Sequence, residues 1–493
     1  MHELLTPEQM GRADALTIAG GIPGIDLMEA AGRAVAETAS MLAPEGPILV
    51  VAGPGNNGGD GYVAARLLRD LGRDVRITLY GDPARIRGDA AIARGAWQGP
   101  EAPIALPLGE ASLIIDALFG AGLDREVSGP AAEIVATINA HPAAVLAVDV
   151  PSGLDGASGQ PLGIVVEADA TITFFRKKPG HLLEPGRGLC GQVHLAQIGI
   201  SESVLPQIGN LFHENTPKLW QQHVPVPSRT AHKYTRGHAL VVSGTAMRTG
   251  AARLAAGAAL RAGAGLVTLA SPESALAENA AHLTSIMLRQ IDKPDELRAY
   301  LSDRRFTAGA IGPGLGTSVA EREIVMAALE APPALVIDAD GLTVFAEFPD
   351  RLFEAIGSRQ AEVILTPHMG EFARLFPDLA QSSGSKPVRA LEAARRSGAI
   401  VILKGSDTVI AAPDGRLSIN ANAPPWLATA GSGDVLSGIA SGLLAQGMPA
   451  FQAACAAVWL HGEAGNIAGI GLIAEDLSPA LPNVFRGLFP MEH

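Results

Sequence analysis

The sequence predicts two α/β domains of unequal size, each built on a parallel sheet that is covered by helices. Short apolar runs typical of buried strands alternate with longer runs in which apolar residues recur every three to four positions. This alternation occurs twice, on either side of a stretch that contains prolines and has no periodicity. The length of 493 residues suggests two or three domains, which agrees with this division.

The composition of the chain excludes several classes of protein. Hydrophobic residues make up 47% of the sequence, and the 57 glycines and 35 prolines follow no period, which excludes collagen and argues against a largely disordered chain. The net charge of −13 argues against wrapping nucleic acid or coating an anionic membrane. Cys190 and Cys455 are too few for a disulfide framework, and we see neither a signal peptide nor a transmembrane segment. We therefore expect a cytoplasmic protein with no nucleic-acid or membrane partner.

The N-terminal half begins with helices and continues with alternating strands and helices. Apolar periodicity indicates helices over residues 7–19 and 25–42, and a third over 61–71 directly after a glycine loop. This order is typical of a Rossmann-like layout. The strands are expected at the β-type runs, which span residues 47–52, 75–80, 113–118, 145–150 and 171–174.

The same order restarts in the C-terminal half. Residues 214–228 contain three prolines without periodicity and predict a linker between a domain at 1–213 and another at 229–493. The predicted helices are residues 251–262 and two that close the chain, from Asp434 and from Phe451. The predicted strands are residues 239–243, 266–270, 308–311, 335–338, 362–366 and 400–403, followed by a hairpin of 409–412 and 417–420.

Residues 53–61, Gly-Pro-Gly-Asn-Asn-Gly-Gly-Asp-Gly, form the strongest local motif of the N-terminal half. The motif follows a predicted strand and opens a helix, where backbone N–H groups and the helix dipole favour a phosphate. Its glycines permit positive φ and a close approach of a ligand to the backbone. A tight turn between strand and helix would explain the same residues equally well.

Two carboxylates stand near the carboxyl ends of apolar strands, Asp116 after Ile115 and Asp149 after Val148. Ligands of open α/β sheets bind at this edge, and a buried carboxylate needs a partner because an unpaired buried charge is costly. A monovalent cation held by Asp116, an Asn carbonyl and the Ser152 hydroxyl would be such a partner, since hard cations prefer oxygen ligands. Capping of loops and helices is the structural alternative.

With Asp-Ala-Leu-Phe-Gly-x-Gly-Leu at 116–123 and Asp-Val-Pro-Ser-Gly-Leu-Asp at 149–155, the glycine motif resembles the NAD(P)H-hydrate epimerase domain over most of residues 1–213. The resemblance implies a Rossmann-like three-layer fold, with Asp149 as the acid/base at C6 of the hydrate. It implies potassium at Asn57, Asp116 and Ser152. The implied hydrate contacts are Asn56, Asn57, Gly58, Gly59, Asp60, Gly120, Ala121, Gly122, Leu123, Asp124, Arg125, Glu126 and Asp149.

Residues 429–438, Thr-Ala-Gly-Ser-Gly-Asp-Val-Leu-Ser-Gly, form a second glycine loop that runs into a helix and suits a phosphate. Asp434 is unfavourable at an anion site unless the carboxylate acts as a base towards a hydroxyl that attacks a phosphoryl group. As a structural residue, Asp is also common in the first turn of a helix. Other strand ends carry His368 and Lys404, and Lys404 is suited to a nucleotide phosphate. Alone, His368 would be an ordinary loop residue and Lys404 a solvated charge.

These motifs together resemble the ribokinase-like α/β/α domain of NAD(P)H-hydrate dehydratases over roughly residues 225–488. Two segments depart from the family pattern: residues 244–249 lack its second glycine and its aromatic residue, and residues 424–427 replace a Gly-Met stretch. Both departures concern the pocket walls. The resemblance implies hydrate contacts at Ala252, Gly314, His368 and Asp434, and adenine-nucleotide contacts at Lys404, Gly405, Ser406, Asp407, Thr408 and Gly433.

In this order the two domains resemble the fused bifunctional NAD(P)H-hydrate repair enzymes, which restore reduced nicotinamide dinucleotides that have become hydrated at C6. The resemblance implies that the first domain epimerises the R- and S-hydrates, NADHX and NADPHX. It implies that the second domain dehydrates the S-hydrate with ADP, or alternatively ATP, and with magnesium. We also expect a homo-oligomer, although the sequence does not define the number of subunits.

Two other functions would use the same residues. A small-molecule kinase fused to a nucleotide-binding module would employ the same Gly-x-Gly-Asp motif, and a stable phosphorylated product would identify it. Alternatively, the first domain would be a non-catalytic interaction scaffold beside an active dehydratase. A scaffold should lose its charged site, so the presence of Asn57, Asp116, Asp149 and Ser152 argues against this function.

Overall fold

The computed structural model describes residues 2–209 and 211–489. The chain divides into two compact units, one ending at Phe212 and the other beginning at His213. Residue 1 and residues 490–493, which the sequence analysis assigns to the ends of the two domains, lie outside the described residues. Both units are α/β with largely parallel sheets, which confirms the predicted fold class.

The first unit contains eight strands and seven α-helices among the residues described. The strands are β1 (Glu3–Leu4), β2 (Ile48–Ala52), β3 (Val75–Leu79), β4 (Glu101–Pro103), β5 (Leu113–Ala117), β6 (Ala144–Val148), β7 (Ala170–Phe174) and β8 (Gln192–Ala196). The helices are α1 (Pro7–Ala19), α2 (Gly24–Leu42), α3 (Asn56–Asp70), α4 (Gly88–Gly95), α5 (Pro130–Asn139), α6 (Gly186–Leu189) and α7 (Leu205–Ile208). Strands β2 to β8 form one sheet in the order β4-β3-β2-β5-β6-β7-β8, with all neighbours parallel.

Alternation along the strands explains why helices cover both faces of this sheet. In β2, Ile48 and Val50 join a core with α1 to α4, whereas Leu49 and Val51 join a second core with α5. Successive side chains of a strand point to opposite faces, so one apolar run supplies both cores. The strand order reverses between β2 and β5. Ligands of open α/β sheets bind outside the carboxyl ends of the strands at such a point.

The second unit contributes ten strands and twelve α-helices among the described residues. The strands are β9 (Phe212–Glu214), β10 (His238–Val242), β11 (Leu266–Ser271), β12 (Met287–Gln290), β13 (Ala308–Ile311), β14 (Ala334–Ile337), β15 (Val363–Leu365), β16 (Ile400–Leu403), β17 (Val409–Ala411) and β18 (Leu417–Ile419). Their order is β9-β18-β17-β16-β15-β14-β13-β10-β11-β12. All neighbours from β16 to β12 are parallel, and β17 and β18 add the predicted antiparallel hairpin.

Helix α17 determines where the glycine loop of this unit lies. The helices are α8 (Thr249–Arg261), α9 (Leu276–His282), α10 (Pro294–Leu301), α11 (Val319–Leu329), α12 (Asp340–Thr343), α13 (Pro349–Gly357), α14 (Met369–Leu375), α15 (Pro377–Gln381), α16 (Lys386–Ser397), α17 (Ser432–Ala445), α18 (Ala450–Ala468) and α19 (Ala474–Leu488). A Cβ at Gly438 or Gly442 would come within 2.2 or 2.4 Å of the carbonyl oxygens of Ala255 and Ala259 in α8. Glycine therefore lets the two helix backbones approach closely and seats α17 in the core.

The segment at 214–228, expected to be a linker, belongs to the second unit, and much of it is packed there. Glu214 extends the sheet beside β18. Asn215 Nδ2 donates to Asn420 Oδ1 at 2.9 Å and to the Cys455 carbonyl at 2.8 Å. Trp220 is fully buried, and its Nε1 donates to Asn215 Oδ1 at 3.2 Å. These contacts join residues far apart in the sequence, so the local pattern does not reveal them.

One helix and two edge strands also differ from the sequence prediction. A third helix, α19, follows the two that were expected to close the chain, and Pro479 and Pro482 inside it explain why helical periodicity missed it. Strands β8 and β12 were missed because both lie at sheet edges, where fewer side chains are buried. Within residues 2–209 and 211–489, no helix combines the length and apolarity needed to cross a membrane.

Two candidate active sites

The first unit contains a cavity of about 630 Å³ at the carboxyl ends of its strands, where the strand order reverses. Most predicted hydrate contacts line it, namely Asn56, Asn57, Asp60, Gly120, Ala121, Gly122, Leu123, Asp124, Arg125 and Asp149. Gly58, Gly59 and Glu126 are not among its lining residues. Gly58 has a packing role instead, because a Cβ there would come within 2.0 Å of the Gly53 carbonyl oxygen.

Asp149 follows β6 directly and is fixed by its neighbours at the cavity wall. Its φ is +70°, a conformation that few non-glycine residues adopt. The carboxylate Oδ1 accepts hydrogen bonds from Lys178 Nζ and, at 3.0 Å, from Thr173 Oγ1. Its Oδ2 accepts from the Ala121 N–H at 3.3 Å. The orientation of the carboxylate is therefore determined before any ligand binds.

Lys178 controls the charge of Asp149. The lysine side chain is 1% exposed, and it also donates to Thr173 Oγ1 at 2.9 Å. Burial alone would raise the pKa of Asp149, but the charge and hydrogen bond of Lys178 outweigh burial and lower that pKa below its ordinary value. Asp149 is consequently ionised at neutral pH and able to accept a proton.

His181 supports both members of this ion pair. Its Nδ1 accepts a hydrogen bond from the Lys178 N–H at 2.9 Å, and its Nε2 lies 2.9 Å from the Asp149 carbonyl oxygen. Burial, together with the charge of Lys178, lowers the pKa of His181 to about 4. The ring is therefore neutral, and because Nδ1 accepts, Nε2 carries the proton and donates to the carbonyl.

The sequence predictions of site residues include neither Asp14 nor Lys178, although both line the cavity. Asp14 lies on α1 among the buried residues Met10, Ala13 and Thr17. A single acidic residue beside the apolar face of an amphipathic helix is a signal that could have identified it. Lys178 comes shortly after β7 and could have been identified by its place at a strand end.

The predicted potassium ligands lie around the loop at 118–120. Asp116 is fully buried and accepts hydrogen bonds from Ser152 Oγ at 2.6 Å, Ser152 N at 2.8 Å and Leu118 N at 3.2 Å. Burial raises the pKa of Asp116 to about 6, and the hydrogen bonds only partly oppose it. Among the residues that the structure describes, no lysine or arginine offsets its charge.

Asn57 supplies a second oxygen without a partner. Both polar atoms of its side-chain amide are buried and have no hydrogen-bond partner within the described part of the chain. The amide lies against the same loop, since a Cβ at Gly120 would be 3.1 Å from Asn57 Oδ1. An orphaned amide oxygen and an unneutralised carboxylate fit a monovalent cation. Across the described residues no group of three or more His, Cys, Asp or Glu could hold a metal ion.

The second site lies at the first turn of α17. Asp434 stands in this turn, next to Gly433 and after Gly431, whose φ is +83°. A Cβ at Gly433 would lie 3.5 Å from Lys404 Nζ and 3.8 Å from Asp338 Oδ2. Lys404 and Asp338 directly follow β16 and β14, and parallel strands place such residues at one edge of the sheet. The predicted residues Asp434, Gly433 and Lys404 are thus brought together.

Lys404 pairs with Asp338 rather than with Asp434. Its Nζ donates to Asp338 Oδ1 at 2.7 Å and lies 3.9 Å from Glu371 Oε2. Asp338 Oδ2 also accepts from Ser437 Oγ at 2.6 Å. Burial alone would lower the pKa of Lys404, but Asp338 and Glu371 raise that pKa above its ordinary value. Lys404 is charged, and the sequence predictions missed its partner Asp338.

No described residue forms an ion pair or a hydrogen bond with the Asp434 carboxylate. Burial raises its pKa to about 6, the charges of Asp338 and Asp340 add to this effect, and Lys404 opposes it. None of these influences is a hydrogen bond to the carboxylate. A carboxylate with a pKa near neutral is suited to take a proton from a hydroxyl and to release it again.

The predicted nucleotide loop, residues 404–408, is braced from within and from α16. Thr408 Oγ1 donates to the Gly405 carbonyl at 2.8 Å and accepts from the Gly405 N–H at 3.2 Å. Lys386 Nζ donates to the Asp407 carbonyl at 3.0 Å and also pairs with the Asp407 carboxylate. Gly405 and Ser406 are exposed and available to a ligand. Lys386 was not predicted, because an isolated lysine at a helix start gives no sequence signal.

The remaining predicted contacts of this unit have mixed placements. His368 caps α14, its Nδ1 accepting from the Glu371 N–H at 3.2 Å, and its ring is half exposed. Gly314 has a φ of +65°, and a Cβ there would come within 2.7 Å of the Arg248 carbonyl oxygen. The Ala252 side chain is fully buried in the core, so the structure does not bring it to a ligand-accessible surface.

Both segments that depart from the family pattern are anchored. Residues 246–248 form a short 3₁₀ turn before α8, in which Met247 is exposed. The preceding Gly244 is required, because a Cβ there would come within 1.8 Å of the Gly314 carbonyl oxygen. In the second segment, Trp426 Nε1 donates to the Gly465 carbonyl of α18 at 2.9 Å. Gly244 and Trp426 therefore tie the two segments to the rest of the second unit.

Both units match known proteins over most of their length. A family model for NAD(P)H-hydrate dehydratase matches residues 239–479, and one for the YjeF-related protein N-terminus matches residues 24–180. The bifunctional NAD(P)H-hydrate repair enzyme Nnr of Moorella thermoacetica is 36% identical, covering 98% of this chain and 97% of its own. That of Coxiella burnetii is 35% identical, covering 98% and 99%. The chain belongs to the bifunctional NAD(P)H-hydrate repair enzyme family.

Membership confirms the family that the sequence motifs predicted, while the individual site residues stay predictions. The second unit of this repair-enzyme family member also resembles a solved structure. It is the crystal structure of the ADP/ATP-dependent NAD(P)H-hydrate dehydratase of Bacillus subtilis, co-crystallised with ATP and Mg²⁺. The similarity has a TM-score of 0.50 and 29% identity, and it covers 56% of this chain and 98% of that one.

Proposed function

We propose that this chain repairs hydrated nicotinamide dinucleotides in two steps. The first unit interconverts the R- and S-hydrates of NADH and NADPH, and the second unit dehydrates the S-hydrate with ADP, ATP being the alternative. One observation carries the proposal. Each unit presents a carboxylate near a lysine at the carboxyl edge of its sheet, Asp149 with the buried Lys178 and Asp434 with the partly buried Lys404.

In the first unit, Asp149 is the acid/base at C6 of the hydrate. It is ionised, held by Lys178, and borders a cavity whose volume lies within the ordinary range for small-molecule sites. Asn56 and Asn57 open α3 at the same cavity, so the backbone N–H groups of this helix start suit the phosphates of the dinucleotide. The hydrated ring would then lie towards Asp149.

In the second unit, Asp434 takes the proton from the C6 hydroxyl while the hydroxyl oxygen attacks the terminal phosphoryl group of the nucleotide. A new O–P bond forms, and the nucleotide leaves with one phosphate fewer. The C6–O bond then breaks with phosphate as the leaving group, and loss of the proton at C5 restores the double bond. Converting a poor leaving group to phosphate is the reason that this step needs a nucleotide. Lys404 and the Gly433 N–H are placed to stabilise the phosphoryl charge.

Magnesium would accompany the nucleotide. The described residues include no three-membered acidic or histidine cluster for a metal, so the ion would bind mainly through the nucleotide phosphates. Asp340 is the acidic residue that would help to hold the ion. Its charge acts on Asp434, and its Oδ2 accepts from the Gly316 N–H at 2.9 Å. When bound, magnesium supplies charge neutralisation for phosphoryl transfer.

Potassium would bind in the first unit at Asn57, Asp116 and Ser152. The orphaned Asn57 amide and the raised pKa of Asp116 support this assignment. When bound, the cation supplies positive charge beside the loop at 118–120. That loop leads into Ala121, whose N–H donates to Asp149. We further propose the predicted homo-oligomer and cytoplasmic location.

The decisive experiment incubates the purified chain with R- and S-hydrate separately, with no nucleotide, with ADP and with ATP. The expected result is interconversion of the hydrates without nucleotide and NAD(P)H formation only with nucleotide. R-hydrate consumption must exceed its spontaneous epimerisation. Accumulation of a stable phosphorylated hydrate would instead indicate a kinase, and loss of the nucleotide-free interconversion would indicate a scaffold.

A further inference from the structure

Helix α1 closes one wall of the first cavity, and it lies before residue 24, where the match to the family model begins. The helix start is fixed by a capping box: the Gln9 N–H donates to Thr6 Oγ1 at 3.2 Å, and the Thr6 N–H donates to Gln9 Oε1 at 3.0 Å. Met10 and Asp14, one turn apart, both line the cavity. The helix therefore brings a carboxylate into the site from outside the sheet edge.

The cavity holds more carboxylates than cations that could neutralise them. Asp14, Asp60 and Asp149 line it together with Lys178, and Lys178 is already engaged by Asp149. Over residues 2–209, no hydrogen bond or ion pair engages the Asp14 or Asp60 carboxylate. Arg125 also lines the cavity but is exposed. A dinucleotide brings further negative charge, so binding favours a state in which a carboxylate is protonated.

The electrostatic environment distinguishes the three carboxylates. Burial raises the pKa of Asp14 to about 6, with Lys178 opposing the shift and Asp149 adding to it. Burial and the charges of Asp149 and Asp14 raise the pKa of Asp60 well above its ordinary value. The pKa of Asp149 is lowered. Carboxylates whose environments separate their pKa values divide into an acid and a base, and an effective acid has a pKa near the working pH.

We propose that Asp14 is the proton donor that works with the base Asp149 in hydrate epimerisation, reaching the same cavity from α1 while Asp149 reaches it from the end of β6. The proposal rests on the proposed epimerase function and adds a residue to it. Burial and the neighbouring carboxylates favour the protonated form of Asp60, and we assign it no proton transfer.

In the proposed reaction, water leaves C6 and then adds again to the opposite face. Asp14 gives its proton to the C6 hydroxyl, the C6–O bond breaks with its electron pair, and water leaves. The ring nitrogen shares its lone pair with C6, which becomes planar. Water then adds to the other face of C6, and Asp149 accepts one of its protons. Asp14 ends ionised and Asp149 protonated, and exchange with solvent or a turnover in the opposite direction restores both.

The charged surroundings of Asp14 come from several elements. Lys178, Asp149 and Asp60 face it across the cavity. The turn at 202–204 packs against α1 and contributes Glu202, which is engaged by Arg176 at 2.6 Å. Asp89 lines the same cavity from α4. Because Asp14 must be protonated to act, epimerisation should slow as the pH rises above about 6.

The test is Asp14→Asn in the full chain, with R-hydrate turnover measured against pH. We expect kcat to fall by about 10²- to 10⁴-fold, KM to change little, and the decline above pH 6 to disappear. Glu8→Gln removes an exposed carboxylate from the same helix and should leave both rate and pH profile unchanged. Nucleotide-dependent dehydration of S-hydrate by the same preparations reports on the second unit.

The outcomes separate the inference from the function on which it rests. If Asp14→Asn turns over R-hydrate at the wild-type rate and with the wild-type pH profile, the role of Asp14 is overturned and the epimerase function stands. Wild-type R-hydrate turnover at the spontaneous rate, with S-hydrate dehydration intact, overturns the epimerase function and this inference with it. If Asp14→Asn unfolds the first unit, Asp14→Glu decides: retention of the decline above pH 6 supports the proposal, and its absence contradicts it.

Discussion

The two candidate sites contain the same kinds of side chain but pair them differently. In the first unit the buried lysine, Lys178, donates to the proposed base itself, Asp149. In the second unit Lys404 donates to Asp338 and leaves the proposed base, Asp434, without a hydrogen bond from a cation. As a result, the pKa of Asp149 is lowered, whereas that of Asp434 is raised to about 6. The choice of partner for one lysine therefore sets the strength of each base.

A second pair of carboxylates shows the complementary difference. Asp116 in the first unit and Asp338 in the second are both buried, and each accepts a hydrogen bond from a serine hydroxyl at 2.6 Å, Ser152 and Ser437. Asp338 has Lys404 as its counter-ion, whereas no lysine or arginine that the structure describes offsets the charge of Asp116. In the second unit Lys404 neutralises Asp338, and in the first unit the proposed potassium ion would do the same for Asp116.

The largest effect is expected for Asp434→Asn. The variant keeps the shape of the side chain but cannot accept the hydroxyl proton, so S-hydrate dehydration should fall by about 10²- to 10⁴-fold. In the wild type, dehydration should slow as the pH falls below about 6, because Asp434 must be ionised. Nucleotide-dependent NAD(P)H formation, followed across pH, measures both effects.

Two comparisons control this experiment. Asp295→Asn, at an exposed carboxylate of α10, should leave dehydration unchanged. Epimerisation by Asp434→Asn should stay at the wild-type rate, because the first unit has its own base. A variant that retains more than about a tenth of the dehydration rate would remove Asp434 from the mechanism.

The next effect comes from removing each lysine, with Lys178→Met and Lys404→Met. Lys178→Met leaves the partly buried Asp149 without its ion-pair partner, and Lys404→Met does the same to the buried Asp338. The loss of a buried partner typically costs up to about 3–5 kcal/mol in the free energy of unfolding. The pKa of Asp149 should rise in Lys178→Met, because Lys178 is what lowers it. Asp149 is then protonated at a higher pH than in the wild type, so the decline of epimerisation on acidification should begin at a higher pH. Denaturant unfolding and pH profiles of both activities measure these changes.

The two lysine variants should fail in different ways. Lys404→Met should raise the nucleotide KM. It should also make dehydration slow at a higher pH on acidification, because Lys404 opposes the raised pKa of Asp434. The exposed Lys218→Met serves as the matched control and should change neither stability nor activity. If Lys178→Met and Lys404→Met changed epimerisation, or changed dehydration, to the same extent, the distinction between the two sites would be refuted.

Local sequence patterns identify the strand ends but not the partners that meet there. The first glycine loop and Asp149 follow apolar runs that are visible in the sequence, and Asp434 lies where a glycine loop opens a predicted helix. The α/β class follows from the alternation of strand-like and helical runs. The pairing of Lys404 with Asp338 joins residues 66 positions apart, and nothing near either residue indicates it. Asp14 and Asp149 likewise line one cavity only because helix α1 packs there.

The same limit explains why the structure differs from the expectation for residues 214–228 and for the chain end. Asn215 and Trp220 lie in an aperiodic, proline-containing segment, yet Asn215 donates to Cys455 across 240 residues and Trp220 is fully buried. Helix α19 contains two prolines, so its periodicity is interrupted although tertiary packing keeps it helical. Burial by distant parts of the chain overrides local preference at each of these places.

The smallest effect concerns the cation itself and tests the difference between Asp116 and Asp338. Any ion that binds only the folded state stabilises it by mass action, by about 2.7 kcal/mol at a hundredfold excess over its Kd. Potassium should therefore raise the unfolding midpoint of the first unit relative to a bulky organic cation at equal ionic strength. It should also accelerate epimerisation while leaving the unfolding of the second unit unchanged, because Lys404 already neutralises Asp338. Asp116→Asn should abolish the stabilisation, whereas the exposed Asp74→Asn should preserve it. Equal midpoints and equal rates in both salts would show that Asp116, Ser152 and Asn57 stabilise the loop without an ion.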